Sequence, residues 1–103
     1  MGKQESIVER RLRDGVKAIG GKAYKLISPG SNGIPDRLVC LPGGRVVFVE
    51  LKSPSGELSK QQKHRIAELL RMGQQVYVLY SAADVNAFLE TVKGVIPDEV
   101  HTT

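Results

Sequence analysis

Three segments of the 103-residue chain place apolar side chains every three or four residues, which predicts three helices. In the first segment Val8, Leu12 and Val16 form an apolar stripe, and arginine and lysine side chains occupy the other sides. Ser59 and Ser81 stand directly before the other two segments, where a serine hydroxyl can accept a backbone N–H of the first helical turn. The predicted helices span residues 5–19, 60–72 and 82–92.

Four shorter runs are rich in valine, leucine and other strand-forming residues, and they are predicted to be strands at residues 23–27, 37–41, 45–51 and 76–80. Pro42-Gly43-Gly44 separates the second run from the third, which predicts an antiparallel hairpin. The helix between the third and fourth runs favours a parallel crossover. We therefore expect an α/β fold with a mixed central sheet of about four strands flanked by helices, in the order α-β-β-β-α-β-α.

Polar side chains interrupt the hairpin at its open end. A three-residue turn places Leu41 opposite Arg45, and the same register places Asp36 opposite Glu50, although a bulge at the glycines would shift the pairing by one position. Because alternate residues of a strand share a face, Lys52 lies on the side of Glu50. The two faces of the hairpin are otherwise largely apolar, as expected for a central strand pair that helices cover on both sides.

Two opposed carboxylates in a partly buried place repel each other, so they require either protonation or a cation. Lys52 can offset one unit of negative charge, and a divalent ion with oxygen ligands would offset the rest. Glu50 and Lys52 could instead be a structural ion pair at a strand end, and Asp36 could belong to an ordinary turn. The combination of these residues in one compatible register favours a metal site with a lysine beside it.

Length and composition add four expectations. The length fits one domain, predicted at residues 1–93 and followed by a C-terminal tail at 94–103. The 15 lysines and arginines against 11 aspartates and glutamates give a net charge of +4, which favours a polyanionic partner such as DNA. Cys40 is the single cysteine, so an internal disulfide and a cysteine-rich zinc site are excluded. No apolar stretch approaches membrane-spanning length, which indicates a cytoplasmic protein.

The stretch "GIPDR" followed by "VVFVELK" resembles the PD-(D/E)XK nuclease pattern. Together with "GG", "SPG", "PGG" and "LSKQQ", it most resembles the VRR-NUC branch, in the short stand-alone form typical of phages and prophages. The similarity extends from about residue 5 to residue 80. It implies a restriction-endonuclease-like fold and magnesium-dependent cleavage of phosphodiester bonds, with manganese able to substitute.

The resemblance also implies the site residues. The metal-binding carboxylates of the family fall on Asp36 and Glu50, its lysine on Lys52 and its glutamine on Gln62, and the main-chain carbonyl of Leu51 is a candidate further ligand. The acidic residue of the first helix, a candidate catalytic group and metal ligand, falls on Glu9, with Glu5 as the alternative. Ser59 and Gln62 also have the spacing of a capping box, so Gln62 has a purely structural interpretation as well.

The function expected from the resemblance is a DNA endonuclease, selective for branched DNA such as Holliday junctions, that acts as a homodimer inside a bacterial or phage-infected cell. Two alternatives stay open. One is a nuclease on linear or flap DNA, and the other is a non-catalytic DNA-binding protein that retains a nuclease fold.

Overall fold

The computed structural model describes residues 6–93, which form an α/β fold in the predicted order. The predicted tail at 94–103 and Glu5 lie outside the described residues. The elements are α1 Ile7–Ala18, β1 Lys22–Lys25, β2 Arg37–Leu41, β3 Arg45–Leu51, α2 Lys60–Arg71, β4 Val76–Leu79 and α3 Ala82–Lys93.

The four strands form one mixed sheet in the order β1-β2-β3-β4. β2 is antiparallel to both β1 and β3, whereas β3 and β4 are parallel and are connected through α2. Leu41 pairs with Arg45 and Arg37 pairs with Val49, so the predicted hairpin register is confirmed without a bulge. The turn depends on Gly43 and Gly44, whose φ angles of 84° and 77° lie in the left-handed region that side chains with a Cβ disfavour.

The hydrophobic core lies between one face of the sheet and the helices α1 and α3. Val39, Val47 and Val49 of the central strands are fully buried there, together with Leu12 of α1 and Val85 of α3. Alternation along β2 places Arg37 on this same face, and its side chain is also buried. A charged residue therefore lies at the margin of the apolar core.

The other sheet face is only partly covered, so the expectation of helices over both faces of the hairpin is wrong on this side. Tyr24 of β1 is 47% exposed and Val46 of β3 is 44% exposed, whereas α2 contacts β4 at the far edge. A helix about 10 Å wide covers roughly two strands spaced about 4.8 Å apart. The two helices on the core face can thus cover all four strands, but α2 alone cannot.

The ends of five elements differ from the prediction, those of α2, β4 and α3 by a single residue. α1 begins at Ile7 because Ser6 caps it, accepting the N–H of Glu9 on its side-chain oxygen. β1 covers Lys22–Lys25 rather than 23–27, since pairing begins where Lys22 meets Cys40 and ends shortly after Lys25. Within residues 6–93, no helix has the length and apolar content needed to cross a membrane.

Candidate active site

Asp36 and Glu50 are linked at the open end of the hairpin, as the register predicts. The Asp36 backbone N–H donates to Glu50 Oε1 at 3.2 Å, and the Leu51 backbone N–H donates to Asp36 Oδ2 at 2.9 Å. Each carboxylate therefore accepts a hydrogen bond from the main chain of the other strand. These two bonds extend the β2–β3 pairing beyond Arg37 and hold both carboxylates at one end of the sheet.

Glu50 is buried, with 3% of its surface exposed. Burial raises the pKa of its carboxyl above 4.5, the negative charge of Asp36 raises this pKa further, and the Lys52 ammonium partly opposes both effects. Lys52 Nζ lies 3.7 Å from Glu50 Oε2. One ammonium beside two carboxylates leaves negative charge without compensation, which is the condition that favours a bound cation.

Gln62 bonds at the same time to the start of α2 and to the carboxylate pair. Its Oε1 accepts the Ser59 N–H at 2.9 Å, and its own N–H donates to Ser59 Oγ at 3.0 Å, so the predicted capping box is confirmed. Its Nε2 donates to Glu50 Oε2 at 3.0 Å. Gln62 therefore caps α2 and contacts Glu50 at the same time, and a catalytic role for it stays a prediction.

The loop before Asp36 is fixed on the first turn of α2. Gly33 has a φ of 89°, and a Cβ at this position would lie 2.5 Å from the main-chain oxygen of Gln61. Arg65 Nε donates to the main-chain oxygen of Asn32 at 3.0 Å, and Pro35 is fully buried. This packing ties the position of the loop, and hence of Asp36, to the helix that carries Gln62.

An open cleft of about 760 Å³ lies beside this pair. Its walls are the first turns of α1, the residues that follow β1, the start of β2 and the residues that follow β3. We call it the α1 cleft. The charged side chains that line it are Glu9, Lys25, Asp36, Arg37 and Lys52.

Glu9 lies in the α1 cleft, but both of its oxygens are already bonded. Oε1 accepts the Ser6 N–H at 2.9 Å, and Oε2 accepts a hydrogen bond from Arg37 Nη2 at 3.2 Å. The Ser6 bond is the main cause that lowers the pKa of Glu9 below 4.5; partial burial opposes it, and Arg37 and Lys25 add to the lowering. A place for Glu9 in a metal shell stays a prediction and requires its carboxylate to leave these partners.

The family model described as "VRR-NUC domain" matches residues 1–83. The chain belongs to the VRR-NUC family. It is 44% identical over 89 residues to "Putative nuclease p44" of Acyrthosiphon pisum secondary endosymbiont phage 1, covering 86% of this chain and 95% of that protein. A solved structure titled "VRR_NUC domain" superposes with a TM-score of 0.76 at 31% identity, covering 81% of this chain and 90% of the other. The resemblance drawn from the motifs and the expected fold are both confirmed.

The carboxylate pair of this VRR-NUC domain fits a divalent ion with few protein ligands. Residues 6–93 contain no group of three or more histidine, cysteine, aspartate or glutamate side chains arranged to hold a metal. Asp36 Oδ1, however, accepts no hydrogen bond from any residue between 6 and 93, and Glu50 lies beside it. Two carboxylates, a main-chain carbonyl and several waters form the kind of shell that magnesium accepts.

Two contacts at the VRR-NUC site were not predicted from the sequence. Arg37 is 5% exposed and bonds to Glu9, and Lys25 lies directly opposite Arg37 in the β1–β2 pairing. Alternation along β2 could have placed Arg37 on the face of Val39. The position of Lys25 carried no such signal, because no short turn fixes the register between β1 and β2.

Proposed function

We propose that this VRR-NUC domain hydrolyses DNA phosphodiester bonds as a magnesium-dependent endonuclease, with manganese able to substitute. The observation that carries the proposal is the link between Asp36 and Glu50, made by hydrogen bonds of 3.2 and 2.9 Å, with Lys52 beside it in a nuclease-family fold. Asp36, Glu50 and the Leu51 carbonyl would hold the ion. When bound, magnesium would polarise the phosphate and lower the pKa of a coordinated water.

The side chains of the site have separate tasks in this reaction. Gln62 and the Asp36 N–H orient Glu50 through its two oxygens. Lys52, whose side chain is 20% exposed and lines the α1 cleft, supplies a fixed positive charge for the developing charge on the phosphate. A water oxygen bonds to phosphorus, the bond to the 3′ oxygen breaks, and that oxygen takes up a proton. The products are 5′-phosphate and 3′-hydroxyl ends.

Cleavage of a labelled DNA tests this proposal. The wild-type protein should cut in magnesium and not in EDTA, and Asp36→Asn and Lys52→Met should each lower the rate roughly 100-fold or more, since each removes one charge from the reacting centre. Full activity in both variants would reject the site. A non-catalytic DNA-binding protein would bind the DNA without cutting it under any of these conditions.

Branched DNA is the substrate class that we propose. All of the elements within residues 6–93 belong to one fold, and none of them forms a separate module that could read a long base sequence. Recognition of DNA shape suits such a domain better. The test compares the cleavage rates of four-way junctions, flaps and linear duplexes of matched sequence. Preferential cutting of junctions supports the proposal. Equal or faster cutting of flaps or duplex supports the alternative nuclease on linear or flap DNA. DNA as the substrate would place the reaction inside a bacterial or phage-infected cell.

We further propose that the active species is a homodimer, because cutting both strands of a junction requires two sites. The partly covered sheet face offers a surface for a second copy, with Tyr24 and Val46 exposed on it. Light scattering measures the mass directly. The wild type should have twice the monomer mass, and Val46→Lys, which places an ammonium in that face, should shift it towards monomer. A wild-type monomer at micromolar concentration would contradict this part of the proposal.

A further inference from the structure

Two cationic side chains lie directly opposite each other at one edge of the α1 cleft. Lys25 of β1 pairs with Arg37 of β2 in antiparallel register, and both residues line the cleft. Directly opposed side chains have their Cβ atoms about 4.5–5.5 Å apart and share a face, and like charges in that arrangement are destabilising. An anion that contacts both would remove the repulsion.

The protein supplies only part of the negative charge that these two cations require. Glu9 Oε2 accepts one hydrogen bond from Arg37 at 3.2 Å, whereas Lys25 makes no ion pair or hydrogen bond with another side chain of residues 6–93. Lys25 is exposed, so its ammonium can reach a ligand in the cleft. One carboxylate beside two cations leaves one positive charge in excess at this edge.

Arg37 has hydrogen-bonding capacity to spare. Its guanidinium carries five N–H donors, and in residues 6–93 it makes one hydrogen bond, to Glu9. The only buried side-chain nitrogen or oxygen left without a partner in the described part of the chain is Arg45 Nε, so the remaining Arg37 nitrogens keep access to solvent. Only 6% of the Arg37 side chain is exposed. Removing a guanidinium from water to this extent costs free energy unless several hydrogen-bond acceptors replace the water. A ligand with several acceptor oxygens would supply them.

We propose that Lys25 and Arg37 form a phosphate-binding site distinct from the Asp36, Glu50 and Lys52 centre, and that it holds a DNA backbone phosphate next to the bond that is cut. The choice of DNA as the source of the phosphate depends on the proposed nuclease function. Arg37 follows Asp36 directly in the chain, and both residues line the α1 cleft. A DNA strand that enters this cleft can therefore present neighbouring phosphates to the two sites.

Glu9 acts here as a positioning residue. The Ser6 capping box fixes its carboxylate on the first turn of α1, and that carboxylate fixes one arm of the Arg37 guanidinium. α1 thereby orients the cation without contacting the DNA itself.

The salt dependence of DNA binding, measured in EDTA so that no cleavage occurs, tests the phosphate site. Lys25→Gln removes the ammonium from an exposed strand position, and Lys22→Gln is the matched control because it makes the same change on the same strand, on the other face. Lys25→Gln should weaken binding roughly fivefold near 0.15 M salt and reduce the slope of log K against log salt by about one unit. Lys22→Gln should keep the wild-type slope.

Steady-state kinetics in magnesium give the second readout. Lys25→Gln should raise the KM for DNA roughly fivefold and change kcat less than about twofold, because the site binds a phosphate that does not react. Arg37→Gln should have a larger effect on KM. Since Arg37 is buried, the fold of that variant is checked by circular dichroism, and Lys25→Gln carries the test if Arg37→Gln does not fold.

The outcomes separate this inference from the nuclease proposal. Equal salt slopes for Lys25→Gln and Lys22→Gln overturn the phosphate site even if the wild type cuts DNA. A wild type that does not cut, but binds DNA with a slope that Lys25→Gln reduces, overturns the nuclease proposal and supports the phosphate site. A wild type that neither binds nor cuts DNA overturns both.

Discussion

Gln62 donates a hydrogen bond from Nε2 to Glu50 Oε2 at 3.0 Å while its Oε1 accepts the Ser59 N–H at 2.9 Å. The amide therefore connects the start of α2 to a buried carboxylate of β3. A glutamate at this position could cap the helix, but it would add a third negative charge beside Asp36 and Glu50. The requirement for a neutral side chain with both a donor and an acceptor explains why a glutamine suits the position.

This dual role gives a prediction with a matched control. Gln62→Met removes the bond to Glu50 and half of the capping box, whereas Ser59→Ala removes the other half of the box and leaves the Glu50 contact. Both variants should lose about 1 kcal/mol of unfolding free energy, as typical for a lost cap. Only Gln62→Met should also lower the cleavage rate, by roughly tenfold or more, because it releases the orientation of Glu50. Equal cleavage rates in the two variants would show that Gln62 serves the helix alone.

The raised pKa of Glu50 predicts how the stability of the metal-free protein depends on pH. Below pH 4.5 the carboxyl of Glu50 is protonated in both the folded and the unfolded chain, so folding does not have to bury a negative charge there. As the pH rises above 4.5 the unfolded chain releases this proton first; the folded state then binds more protons, and stability falls until the folded pKa is passed.

Denaturant unfolding in EDTA from pH 4 to pH 8 measures this effect. The free energy of unfolding of Glu50→Gln, minus that of the wild type, should increase with pH above 4.5 and level off only above the folded pKa of Glu50. The relevant quantity is how this difference in unfolding free energy changes with pH, because the loss of a carboxylate acceptor shifts the difference by the same amount at every pH. A difference that does not change with pH would mean that folding does not raise the pKa of Glu50.

Glu9 is predicted to behave in the opposite way, because its pKa is lowered in the folded state. Its contribution to stability is present above pH 4.5 and is lost as the pH falls through the folded pKa. Glu9→Gln should therefore be less stable than the wild type at pH 7, and the deficit should shrink in acid.

The same variant tests whether Glu9 binds the metal. If its two oxygens stay bonded to Ser6 and Arg37 when magnesium binds, Glu9→Gln should leave the magnesium concentration at half-maximal cleavage unchanged. An increase of roughly tenfold in that concentration would assign Glu9 to the metal shell.

The features that the sequence predicted correctly depend on residues close together in the chain. Pro42-Gly43-Gly44 fixed the hairpin register and thereby the opposition of Asp36 and Glu50, and the spacing of Ser59 and Gln62 predicted the capping box. These features depend on a tight turn or on one helical turn, where few backbone conformations are available.

The features that the sequence did not predict depend on contacts between distant segments. The pairing of Lys25 with Arg37 depends on the register between β1 and β2, and the intervening residues 26–36 form a connection too long for its local turns to set that register. The Arg37–Glu9 bond depends in turn on how α1 packs on the sheet. The open sheet face around Val46 reflects how many strands one helix can cover, which periodicity within a strand does not report.

The most direct test of the central claim compares wild-type protein with Asp36→Asn on a four-way junction, with and without magnesium. Asparagine keeps an oxygen to accept the Leu51 N–H and removes one negative charge from the pair. We expect magnesium to start cleavage and to raise the melting temperature of the wild type, and to do neither in the variant. A variant that cuts at the wild-type rate, or a wild type that cuts equally well in EDTA, would contradict the claim that Asp36 and Glu50 hold a catalytic ion.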